Sequence, residues 1–180
     1  MKQSKIYKVA LASVFAAMSA VFVGFFHIPN AIGGYIHLGE AIVYLASAIL
    51  PLPYAALSTA IGFAAADMIG GYFYYMLPSA LIRVAVAMLF KSKGEKILTK
   101  RNVTALPFAL IITVGGYFIF KYFMYAFIQK TPEIALTSAV TSIPGNIIQC
   151  VAGSAVFLVA GAALDKINFK EKLFGGKDNV

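Results

Sequence analysis

The hydrophobic residues of this chain fall in long, almost uninterrupted blocks, and that feature leaves few folds open. The stretch 105–127, for example, carries a single charge, Lys121. A soluble domain cannot cover runs of this kind with its polar surface, whereas a bilayer core accepts them. Composition agrees: 61% of residues are hydrophobic and 12% charged, with mean hydropathy +0.83. The net charge of +8 would suggest nucleic acid in a soluble protein. Here the lysines and arginines sit in short segments between blocks, so they report topology and not a nucleic-acid partner.

The blocks predict an all-α integral membrane protein of six transmembrane helices, a single membrane domain over residues 1–180. The predicted spans are about 6–26, 37–50, 54–69, 74–90, 105–127 and 136–164. The first block follows Lys2 and Lys5 and has no small-residue cleavage site, so it reads as a retained helix and not a signal peptide. The second span is short and stops at Pro51-Leu52-Pro53, which implies that the loop before it is partly inserted. Pro144-Gly145 predicts a kink inside the sixth. The tail from Asp165 reads as polar and basic.

Lys2, Lys5 and Lys8, then Lys91, Lys93, Lys96, Lys100 and Arg101, then Lys166, Lys170, Lys172 and Lys177 all fall on one side of this arrangement. Lys130 stands alone in the opposite loops. The positive-inside rule places both termini in the cytoplasm, with the chain multi-pass in a bacterial-type plasma membrane among its lipids.

Four ionisable residues remain in or near the spans: Glu40, Asp67, Arg83 and Lys121. A charge at a helix centre costs roughly 2.5–3.5 kcal/mol on insertion scales, so each needs a partner, a ligand or water. The topology puts all four in the outer half or near the midplane, which describes a cup open to the outside. As interhelical ties the expected pairs are Asp67 with Arg83 and Glu40 with Lys121. As ligand contacts they join Tyr35, His37, Tyr72 and Tyr75 at the outer ends, aromatic residues that serve equally as an interfacial belt or as walls for a planar heteroaromatic ligand. Asn146 and Gln149 share a helix face and are either interhelical ties or ligand contacts. His37 alone reads equally as a capping residue. In the first helix Ala12, Ala16 and Ala20 form a small-residue stripe, for internal packing or for docking another membrane protein.

The single Cys150 excludes an intrachain disulfide, and neither histidine has metal-ligand spacing. No nucleotide-binding loop and no nucleophile motif occurs, so the sequence predicts neither an enzyme nor a bound cofactor.

These features meet in one family. The sequence resembles the substrate-binding S components of energy-coupling factor (ECF) vitamin transporters. The resemblance rests on the alanine stripe, on Tyr35-Ile-His-Leu-Gly-Glu40, on Ala66-Asp67 through Gly71-Tyr72 and Pro78, and on Pro144-Gly-Asn146-Ile-Ile-Gln149. The segment 35–83 is most similar to the riboflavin-type branch, where many members carry Asp at the position of Glu40 and Lys at that of Arg83. The resemblance implies high-affinity capture of a small heteroaromatic vitamin or precursor from outside, riboflavin or a thiamin-precursor pyrimidine among them. It also implies docking through the first helix onto a membrane-embedded T component driven by two cytoplasmic ATPases, and toppling of the S component to release cargo inside. A stand-alone carrier or channel is the alternative, but no inverted repeat and no depth-spanning polar path is evident. A small membrane enzyme is a further one.

Overall fold

The computed structural model describes residues 5–29 and 35–174. Eight helices and one two-stranded ribbon occur in this order among them: α1 (Lys5–Gly24), β1 (His27–Pro29), β2 (Tyr35–His37), α2 (Gly39–Ile49), α3 (Leu52–Ile69), α4 (Met76–Ala87), α5 (Lys100–Phe123), α6 (Pro132–Thr141), α7 (Ile143–Lys166) and α8 (Phe169–Phe174). A 3-10 turn, Phe73–Tyr75, leads into α4, and a π-helical turn, Met124–Ile128, follows α5.

Four apolar helical stretches are long enough to cross a bilayer: Lys5–Gly24, Leu52–Ile69, Lys100–Ile128 and Pro132–Lys166. Gly39–Ile49 and Phe73–Ala87 are shorter. At 1.5 Å per residue α2 covers about 16 Å, roughly half of a hydrocarbon core. It is covered along almost its whole length by the rest of the bundle. Every residue from Gly39 to Ile49 is buried except Leu45, which is half-buried. Packed on α1, α3, α4 and α7, α2 is the axis of the bundle. Its Tyr44 stacks on Phe90 (5.4 Å between centroids) and meets Phe157 edge-on (6.0 Å). The outward faces carry exposed Leu57, Ile61, Leu81, Ile111, Val151 and Val159, side chains suited to lipid and not to water.

Small residues set how closely the helices approach. A β-carbon on Gly62 of α3 would lie 2.6 Å from the Ala16 carbonyl oxygen and 2.6 Å from Ser19 Cβ of α1, so those backbones nearly touch.

Three expectations are corrected. The region before α2 is an antiparallel ribbon, with His27 opposite His37 and Pro29 opposite Tyr35. The sixth predicted helix is divided at Ser142 into α6 and α7; Pro144 falls in the first turn of α7, where its missing N–H costs nothing, so it starts a helix instead of kinking one. The tail is not simply polar: the Asp165 carboxylate accepts hydrogen bonds from Ile97 N (2.7 Å) and Leu98 N (2.9 Å), and α8 folds back with Lys170 and Phe174 buried.

Candidate functional site

Glu40 stands in the first turn of α2, where the helix dipole favours a carboxylate. Arg83 lies two turns into α4. Both side chains are fully buried, and Arg83 Nη1 donates to Glu40 Oε2 in a direct ion pair. Gln149 of α7 joins them: its Nε2 donates to Glu40 Oε1 (3.3 Å), and its Oε1 accepts from the backbone N–H of His37 (3.2 Å). A buried charge is tolerated only when paired and hydrogen-bonded, and this three-helix knot meets that condition for the carboxylate.

The expected ties of Arg83 and Glu40 are therefore corrected. Arg83 takes Glu40, not Asp67, and Glu40 takes Arg83 and Gln149, not Lys121. Sequence position alone does not fix partners, because helix rotation decides them. α2 and α4 pack together and turn Glu40 and Arg83 toward each other across the bundle axis.

The guanidinium is further enclosed by rings. Its carbon lies 4.5 Å from the Phe63 centroid and 5.7 Å from that of Tyr117, positions that stabilise a cation on a π face. Tyr117 Oη shares a hydrogen bond with Ser79 Oγ (2.9 Å) and accepts a longer one from Arg83 Nη2 (3.4 Å). From Tyr117 an aromatic wall continues outward: Tyr75 lies 6.4 Å from Tyr117, 5.1 Å from Phe120 and 6.3 Å from Tyr72. Asp67 is buried in the last turn of α3, and the following backbone turns on it, Tyr72 N donating to Asp67 O (2.8 Å). Gly71 makes that turn at φ +77°, a conformation that glycine adopts without strain.

The remaining predicted residues are placed as follows. His37 is buried, its Nδ1 accepts from Gly39 N (3.0 Å), and its ring meets Phe63 edge-on, so it caps α2. Tyr35 contributes backbone to β2, and its side chain lies outside the described residues. Lys121 is buried one turn before the π-helical turn, on α5. Asn146 is half-buried in the first turn of α7, one turn from Gln149. Ala12, Ala16 and Ala20 are half-buried along the α1–α3 contact, while Ala10, Ser13 and Ala17 beside them are exposed.

Four contributors escaped sequence reading: Phe63, Ser79, Tyr117 and Gly153. Ser79 had a signal, since it lies one turn before Arg83 and so shares its face. Tyr117 had a weaker one, as a hydroxyl inside an apolar run. Gly153 lies so close to α2 that an added β-carbon would overlap Glu40 Cβ and sit 3.1 Å from Ala41 N.

The arrangement places a cluster of aromatic rings, tilted or edge-on to one another, beside a charge-compensated floor. It offers ring faces and hydrogen-bonding edges. A family model described as "ECF-type riboflavin transporter, S component" matches residues 3–166. No curated protein matches the chain.

Proposed function

The chain belongs to the family of ECF-type riboflavin transporter S components, and from that premise we propose that its cargo is a neutral heteroaromatic vitamin, riboflavin first, held between the Tyr72–Tyr75–Tyr117 wall and the Glu40–Arg83–Gln149 floor. As a member it is the substrate-specific subunit for vitamin binding and uptake in an ECF transporter, a transport role and not that of an enzyme family. ECF S components work with a T component and ATPases in the membrane, and here two cytoplasmic ATPase subunits are the proposed motor.

The observation that carries the cargo reading is the internal compensation of the floor. Arg83 and Glu40 neutralise each other at full burial, so an ionic ligand would have to displace one of them and strand the other, a loss of about 2–5 kcal/mol. A neutral ring system with carbonyl and N–H edges avoids that cost. It can stack on Tyr75 and Tyr117 and share hydrogen bonds with Gln149, Tyr117 and the outer polar groups Asp67, Lys121 and Asn146.

For topology we keep six crossings with both termini inside. α2 and α4 finish their passage with the ribbon and the 3-10 turn, irregular backbone that is tolerated where protein shields it from lipid. The docking surface for the T component is assigned to the side of α1 bearing Ser13 and Ala17, with Ala12, Ala16 and Ala20 along its margin. Small exposed residues support close approach of a partner helix there.

Titration of the detergent-solubilised protein with riboflavin, thiamin and a thiamin-precursor pyrimidine tests the cargo. Tight binding of riboflavin, weakened by Glu40→Gln and Arg83→Met, is expected. Preference for the cationic thiamin would overturn the neutral-cargo reading.

A further inference from the structure

The inner end of α2 is finished by a residue far away in sequence. Proline at position 51 has no N–H to return to Ser47, and at Leu50 the backbone leaves the helix, its N–H bonding Ala46 O. The Ala48 carbonyl is met instead by Lys170 Nζ of α8, at 3.0 Å and across 122 positions of sequence. Lys170 is 2% exposed. Its burial pulls the amine down to about 8, with Asp165 acting against the shift. An ammonium is an expensive group to bury for one hydrogen bond, and its location gives the reason. It sits at the negative end of the α2 dipole while Glu40 occupies the positive end, so the buried helix carries a complementary charge at each terminus. Phe174 (3% exposed) with partly buried Phe169 and Leu173 holds α8 on the core, and Asp165 ties the adjoining end of α7 to the α4–α5 connection.

From Glu40 to Ala48 the helix advances by eight steps, about 12 Å. In the middle of α2, Tyr44 is gripped by Phe90 and Phe157, while Ala41, Ala46 and Ala48 offer little to interlock. The two ends are held by polar contacts, Glu40 at one and Lys170 at the other. We propose that Lys170 is a positioning residue for the cup, fixing from the inner face how far α2 reaches outward and so how Glu40 meets Arg83 and Gln149. The inference rests on the assignment of those three residues as the cargo floor.

Three variants and two readouts test it. Lys170→Met keeps the apolar stem and removes the donor. Lys170→Arg keeps charge and donor. Lys172→Met, exposed on the same helix, is the control. Hydrogen exchange at residues 39–43 reads the outer end of α2 without any cargo, and riboflavin titration reads the floor. Lys170→Met should raise exchange at 39–43 several-fold and weaken riboflavin about five- to tenfold. Lys170→Arg should restore both to within twofold, and Lys172→Met should change neither. If Lys170→Met fails to fold, Lys170→Gln, which retains an N–H donor without the charge, should give the same changes at smaller size. Faster exchange confined to α8 and residues 46–50, or unchanged riboflavin affinity beside a loosened outer end, overturns the proposal. If the unaltered protein binds no riboflavin, the cargo assignment falls, and the exchange at 39–43 alone decides for or against Lys170.

Discussion

Gly153→Ala is the smallest change that tests whether the floor depends on close contact between α2 and α7. The added β-carbon would overlap Glu40 Cβ, and lie 3.1 Å from Ala41 N and 3.3 Å from the Glu40 carbonyl carbon. A relaxed carbon–carbon contact is about 3.5–4.0 Å, so the two backbones must part by more than an ångström at this point. The atoms met belong to main chain and to a β-carbon, which cannot swing aside as a side-chain tip can. Overpacking of this kind costs typically 1–3 kcal/mol. Displacement of Glu40 also lengthens its bonds to Arg83 and Gln149, each charge-assisted and worth about 1.5–3 kcal/mol. Together these place the loss of riboflavin affinity at about 10- to 100-fold, with a lower melting temperature. Gly115→Ala is the control, since a β-carbon there meets nothing within 4 Å, and replacing a mid-helix glycine favours the helix by up to about 1 kcal/mol. Fluorescence quenching of riboflavin with thermal melts in one detergent measures both variants. Equal affinity and equal melting for Gly153→Ala and Gly115→Ala would refute the reasoning.

Removing one partner of the floor, by Glu40→Gln or Arg83→Met, should weaken riboflavin by about 2–5 kcal/mol in binding titrations; Tyr117→Phe, which loses only an edge hydroxyl, should cost about 0.5–1.5 kcal/mol. Lys170 holds fewer protons when folded, because its amine is pulled below the ordinary lysine range to about 8. Melting temperature should therefore rise as pH increases from about 8 toward 10.5, and Lys170→Met should flatten that rise. Ala17→Trp on the exposed side of α1 should abolish copurification with the T component at unchanged riboflavin affinity. Ala16→Trp, at the Gly62 contact, should also lower stability in thermal melts. A cysteine at Lys96 in a Cys150→Ser background should resist an impermeant thiol reagent applied to intact cells, as cytoplasmic placement requires.

The helical fold and the identity of the buried charges were legible because block length and charge scarcity are one-dimensional signals. Glu40, Arg83 and Gln149 stood out as polar groups in apolar helices, and they do meet. Which met which was not legible, since sequence position gives height along a helix and says little of its rotation in the bundle. The ribbon was hidden by strands of three residues, too short for alternation to register. Lys170 was hidden for a different reason: after the last apolar block it resembles the other lysines of the tail, and only the fold-back of α8 sets it apart. Gly153 is one small residue among several in its helix, and only the distance to Glu40 gives it meaning.

The burial of α2 has a consequence for biogenesis. A segment of 11 residues is too short to partition into the bilayer alone, so its place in the bundle depends on the helices that cover it. Its carboxylate is made before its partners exist. Arg83 follows Glu40 by 43 residues and Gln149 by 109, delays of about 2–9 s and about 5–20 s at ordinary rates of synthesis. Lys170, which finishes the inner end of the same helix, arrives later still. The central helix becomes central only when nearly all of the chain has been made.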